Sequence, residues 1–148
     1  MVYATNPKAN FDYQILETYE AGIILKGFEV KSIKGGKVSL RGAYVKILNG
    51  EPFLVGAIVS PYQPGNTPPD YDQQRNRKLL LNKKELNYLI GKSAEKGLAL
   101  VPVKIYGKQG LVKLEIGVGK GKKKFDKRET IAKRESKRKI ERLLKKAF

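Results

Sequence analysis

The chain has 148 residues, and its 31 Lys and Arg against 14 Asp and Glu give a net charge of +17. It contains neither cysteine nor histidine, which excludes disulfides, thiolate catalysis, cysteine or histidine metal sites and the commonest general base. No apolar run approaches the roughly 20 residues that span a bilayer, and Met1 to Asn10 lack the apolar core of a signal peptide, so a soluble cytoplasmic protein is expected.

The charge is unevenly placed. Residues 120–148 hold 14 of the 31 basic side chains and only 4 of the 14 acidic ones, a net of +10. Residues 1–119 hold most of the aliphatic and aromatic side chains, and a head of that size buries roughly 65% of its unfolded surface. The division is one globular domain, 1–119, followed by a basic C-terminal tail, 120–148, suited to phosphate.

Along the head, Tyr13 to Tyr19 reads as a strand that breaks at Ala21-Gly22, with Ile23 to Leu25 following. Phe28 to Ile33 reads as one or two helical turns closed by Gly35-Gly36. Tyr44 to Leu48 and Pro52 to Val59 flank Asn49-Gly50, a dipeptide that readily takes the positive φ angles of a tight hairpin. Ser60 to Asn76, with four prolines, is the one long loop. A helix follows, with Asn82 as cap, Glu85 at its third position, an apolar stripe of Leu86, Leu89, Ile90 and Ala94, and Gly97 at its end. Leu98 to Tyr106 and Leu111 to Val118 form a last hairpin. The fold class is mainly β with short helices (α+β), arranged as a small antiparallel β-barrel.

Gly117 to Lys124, with three glycines and four lysines, reads as a flexible hinge. Beyond it Glu129–Lys133, Glu135–Lys139 and Glu141–Lys145 are acid-before-base pairs at helical spacing, each stabilising a helix by about 0.2–0.5 kcal/mol. Ten net charges and few apolar residues oppose an isolated helix. The tail is therefore expected to be disordered when free and helical when bound to an anionic partner.

Composition alone permits a generic basic RNA-binding or ribosomal protein. More specific are Glu17-Thr18-Tyr19-Glu20-Ala21-Gly22-Ile23, Gly27-Phe28-Glu29-Val30-Lys31-Ser32, Arg77-Lys78-Leu79-Leu80-Leu81, Leu89-Ile90-Gly91-Lys92 and Gly121-Lys122-Lys123-Lys124-Phe125-Asp126-Lys127-Arg128. In this order and spacing they resemble the small protein B (SmpB) family, from about Asn6 to Leu144. The resemblance implies an oligonucleotide-binding-type barrel that binds transfer-messenger RNA and accompanies it to bacterial ribosomes stalled on truncated messages, the process of trans-translation. It implies further that the barrel takes the place of the missing anticodon arm and that the tail enters the decoding centre and message channel as a helix. The chain departs from the family pattern at Asp72-Gln73, where Asp-Pro is common, and carries Phe125 where an aromatic or histidine precedes Asp-Lys-Arg.

By this resemblance the RNA-binding residues are Asn6, Lys8, Glu20, Lys31, Arg75, Arg77, Lys78 and Leu80, and the ribosome-contacting tail residues are Lys122, Lys123, Lys124, Phe125, Asp126, Lys127 and Arg128. Several have a plainer reading: Glu20 as a turn carboxylate paired with a lysine, Asn6 and Lys8 as a frayed terminus, Lys31 as a solvated helix residue. Strand alternation places Leu80 on the face opposite Leu79 and Leu81, although a third core leucine is the ordinary alternative. Asp126 is expected to cap the tail helix. A monomer is expected, with no cofactor, no metal and no membrane partner. Glu20, Glu29, Asp70 and Asp72 raise a metal-dependent nuclease as a competing class, but their spacing matches no recognisable ligand set.

Overall fold

Residues 1–122 and 124–147 are described in a computed structural model. Lys123 and Phe148 lie outside the described residues, as do the side chains of Pro64, residues 124–130 and residues 143–147. In chain order the elements are β1 (Val2–Thr5), α1 (Ala9–Asp12), β2 (Tyr13–Ile23), α2 (Gly27–Lys34), β3 (Val38–Ser39), β4 (Tyr44–Leu48), β5 (Glu51–Val55), β6 (Ile58–Val59), β7 (Arg77–Leu80), α3 (Lys83–Ala94), β8 (Leu98–Lys108), β9 (Leu111–Gly121) and α4 (Lys124–Ala147). A 3₁₀ turn at Pro64–Asn66 lies within the long loop.

The antiparallel, mainly β architecture expected from the alternating runs is present. Seven strands form one sheet in the order β1-β8-β9-β2-β7-β5-β4, and β3 and β6 form a separate pair. Asn49 (φ 51°) and Gly50 (φ 77°) make the tight turn between β4 and β5. Ala21-Gly22 does not break β2: the strand runs through to Ile23, with Gly22 paired to Leu80 of β7. A Cβ on Gly22 would lie 3.2 Å from the Leu80 Cβ, so the glycine gives β7 room rather than ending a strand.

The barrel is not closed. Among the described residues β4 pairs with β5 and β1 with β8, and no ladder joins these two ends of the sheet. The edge of β8 explains part of this. Pro102 has no N–H to donate, its carbonyl accepts from the Asn6 side-chain amide at 2.9 Å, and the Val103 carbonyl accepts from the Asn6 N–H at 2.8 Å. The same bonds, with β1 paired to β8, fix the N-terminal segment, so Asn6 is 9% exposed and not part of a frayed end.

The inward residues Ala21, Leu54, Leu79, Ile105, Leu114 and Ile116 make the core, joined by Ile33 from α2 and Leu89 from α3, each at 1% exposure. The Asn82 side chain caps α3 by accepting from the Glu85 N–H at 2.8 Å. On the other side of α3 the Tyr88 hydroxyl donates to Glu17 of β2 at 2.9 Å.

The expected hinge is instead strand. Gly117, Gly119 and Gly121 lie in β9, which continues past residue 119, and the N–H of Lys122 donates to the Asp12 carbonyl at 2.9 Å. Cβ atoms at Gly117 and Gly119 would meet Ile15 at 3.1 Å and Tyr13 at 2.9 Å, so these glycines make space for the side chains of β2. Disorder of the free tail is not confirmed either, because residues 124–147 form one uninterrupted helix, α4. The Arg134 guanidinium lies 5.7 Å from the Phe11 ring of α1.

Candidate nucleic-acid interface

Leu80 ends β7 with 53% of its surface exposed, whereas Leu79 is buried at 1% and Leu81 packs partly against the core. Alternation thus delivers the outward leucine expected. It lies in an apolar groove with Ile23 of β2, Val30 of α2 and Leu111 and Lys113 of β9. The Lys34 ammonium bonds the Gly110 carbonyl at 3.3 Å across the same region. Leu111 and Lys113 went unassigned, yet their alternation with buried Val112 and Leu114 carried the signal.

Glu20 is in strand β2, not in a turn, and pairs across the ladder with Glu115 of β9. Two carboxylates face to face repel unless cations stand beside them. Lys108 donates to Glu20 at 3.1 Å, and Lys104 lies 3.9 Å from Glu115. The bonds from Lys108 and Tyr106 hold the Glu20 carboxyl below its usual range. Burial and the bond to Glu20 push the Tyr106 hydroxyl up to about 12. Glu20 thus stands in an ion pair with Lys108, and its carboxylate remains an acceptor, not a donor.

The expected basic cluster divides. Lys78 is partly exposed and bonds Glu51 at 3.2 Å, Lys8 and Lys31 are exposed, and Arg77 is buried at 1%. Its Nε and Nη2 donate to Glu29 at 3.0 and 2.6 Å, Nη1 donates to the carbonyls of Ala57 and Arg75, and Nη2 also reaches the Tyr71 hydroxyl and the Gln73 carbonyl. Every donor of the guanidinium is engaged within the protein, so Arg77 does not present it to phosphate. Arg75, with its side chain 25% exposed, also pairs with Glu29 and donates to the Ile24 carbonyl at 3.3 Å.

Glu29 is fully buried at the centre of this node. Burial raises its pKa, but bonds from Arg75, the Lys26 N–H, Arg77 and Tyr71 outweigh that and lower it to about 2. The Tyr71 hydroxyl, desolvated and bonded to Glu29, is pushed up to about 12. Nothing local in the sequence marked Glu29 as the partner of two arginines, because they lie 46 and 48 residues away. The node also removes Glu29 from any metal site, and among the described residues no three acidic side chains are grouped to hold an ion.

At the base of the tail the Lys122 ammonium donates to the Asn10 carbonyl at 2.6 Å, which ties it to α1. Lys123 lies outside the described residues, as do the side chains of Lys124, Phe125, Asp126, Lys127 and Arg128. Because α4 begins at Lys124, Asp126 falls inside its first turn rather than at a cap before it.

The family model described as SmpB protein matches residues 3–146. The chain belongs to the SmpB family. It is 53% identical over 147 residues to an SsrA-binding protein of Acetivibrio thermocellus, covering 99% of this chain and 95% of that relative. An SsrA-binding protein of Bacillus subtilis is 52% identical over 141 residues, covering 95% and 90%. A solved SmpB structure described as "tmRNA-SmpB: a journey to the center of the bacterial ribosome" is similar at a TM-score of 0.67 and 48% identity, covering 81% of this chain and 84% of that one. No helix among the described residues is long and apolar enough to cross a membrane.

Proposed function

We propose that this SmpB-family chain binds transfer-messenger RNA and is required for its stable association with stalled ribosomes, standing in for the anticodon arm in trans-translation. The observation that carries this reading is the 53% identity to an SsrA-binding protein across 99% of the chain. The protein acts as a binding module in the cytoplasm, as a monomer and without catalysis.

In this reading the Leu80 groove receives an unstacked part of the RNA. Lys8, Lys31 and Lys78 neutralise phosphates around it, with Glu20 accepting from a hydroxyl or base edge. Arg75 has a quarter of its side chain left for such a contact, whereas Arg77 supports the site from within. The sheet works as an oligonucleotide-binding-type barrel with its seam between β4 and β8. The tail loses helix in free solution and regains it in the message channel, with Phe125 stacking on a base and Lys127 and Arg128 holding phosphates.

The test is competition binding of the full chain to transfer-messenger RNA against bulk tRNA. A clear preference for the former is expected, and equal affinity for both would return the chain to the class of generic basic RNA-binding proteins. Incubation with labelled RNA and Mg²⁺ is expected to leave the RNA intact, and cleavage abolished by Glu20→Ala would make the protein a nuclease instead.

A further inference from the structure

The loop of residues 60–76 holds four prolines and neither strand nor α-helix, a composition usually found in mobile connections. Here it is fastened at several points. The Val59 N–H donates to the Gln73 carbonyl at 3.1 Å and the Ser60 N–H to the Lys37 carbonyl at 3.1 Å. Around the 3₁₀ turn, Asn66 and Thr67 bond back to Gln63. Tyr71 packs edge-on against Phe28 of α2 with centroids 4.8 Å apart, and its hydroxyl enters the Glu29 node. Burying a carboxylate and an arginine is weak as a source of net stability, but it fixes one geometry for the loop and α2.

That geometry leaves Tyr62 40% exposed, with the Lys31 ammonium 5.9 Å from its ring centroid. A flat ring beside a cation is the pairing on which single-stranded bases stack, with a phosphate close to the charge. The placement also continues the surface already described. Lys31 follows Val30 on α2, and Val30 lines the groove that holds Leu80, so the Tyr62–Lys31 pair and the groove share one helix.

We propose that Tyr62 is a further RNA-contact residue on which an unpaired base stacks, with Lys31 on the adjoining phosphate and the Glu29 node preorganising the loop that presents the ring. This rests on the transfer-messenger RNA reading above. Preorganisation gives affinity by removing the ordering cost at the moment of binding.

The experiment measures binding of the full chain to transfer-messenger RNA across a salt series for wild type, Tyr62→Leu, Tyr62→Phe and Lys31→Ala, with thermal melts of each. Tyr62→Leu is expected to bind roughly tenfold more weakly with an unchanged slope of log K against log salt, because the ring carries no charge. Tyr62→Phe keeps the ring and is expected to stay within about twofold of wild type, since only the hydroxyl is lost. Lys31→Ala is expected to lower the slope by about one. Wild-type affinity for Tyr62→Leu, or equal losses for the Leu and Phe variants, would overturn the stacking role and leave the RNA reading standing. Wild-type protein that shows no preference for this RNA over bulk tRNA would sink the RNA reading itself.

Discussion

An arginine can be buried only if its donors find acceptors, and the neighbours Arg77 and Lys78 show how closely the two outcomes can sit. One side chain turns inward to Glu29 and the other outward to Glu51. Because Glu29 has its pKa lowered to about 2, its contribution to stability is fully present above the ordinary carboxylate value of 4.5 and is lost as pH falls through 2. Denaturant melts between pH 5 and 2 should show the wild type losing on the order of 3 kcal/mol more than Glu29→Gln over that window. Parallel curves for the two proteins would mean that the node contributes no proton linkage. Leu80 and Leu89 supply the second comparison, since both are leucines on short elements but one is exposed and the other buried. Leu89→Asp should unfold the head by placing a charge in the core, whereas Leu80→Asp should weaken RNA binding at an unchanged melting temperature. An equal drop in melting temperature for both would make Leu80 a core residue. Leu80 was legible because alternation is local, while the fate of Arg77 depended on a partner 48 residues away.

The same boundary between local and distant causes divides the elements. The β4–β5 turn and the α3 cap are written in adjacent residues, Asn49-Gly50 and Asn82 with Glu85, and both are found where the sequence puts them. Missed were β1, α1, β3 and the break that divides the expected Pro52–Val59 strand into β5 and β6, short features that owe their form to partners elsewhere in the chain. Glycine misled twice, at Gly22 and again along β9, because a glycine that admits a neighbouring side chain looks in sequence like one that bends the chain. For α4 the three acid-before-base pairs were a local signal of helix, whereas the disorder expected of the free tail from its charge is not confirmed. If this helix is needed only inside the ribosome, prolines at Ser136 and Lys139 should spare binding to the free RNA and abolish rescue. Phe125→Ala should do the same by removing roughly 1–3 kcal/mol of stacking. A reconstituted stalled-ribosome assay of peptide transfer, run beside RNA binding, decides this, and full transfer by both variants would reduce the tail to a passive phosphate anchor.

At the scale of the whole molecule, charge and apolar content are separated along the chain: the folded sheet carries the groove, and residues 120–148 carry +10 of the +17. This asymmetry was visible in composition, but its boundary was not, because β9 extends to Gly121 and Lys122 bonds α1. A cut after Gly119 would remove the last ladder pairs of β9 with Tyr13, Gln14 and Leu98 and would confuse folding with binding. A cut after Lys122 keeps those pairs and removes α4. The shortened chain should still prefer transfer-messenger RNA to bulk tRNA, because the groove, Glu20, Lys31 and Lys78 all remain. Its affinity should be lower and less dependent on salt. If the sheet neutralises about five phosphates, the slope of log K against log salt should lie near −4 to −5 for residues 1–122 and be steeper for the full chain. Fluorescence titrations of both chains across a salt series measure the two slopes. Loss of all discrimination by the shortened chain, with its melting curve intact, would place specificity in the tail and refute the assignment of RNA recognition to the sheet.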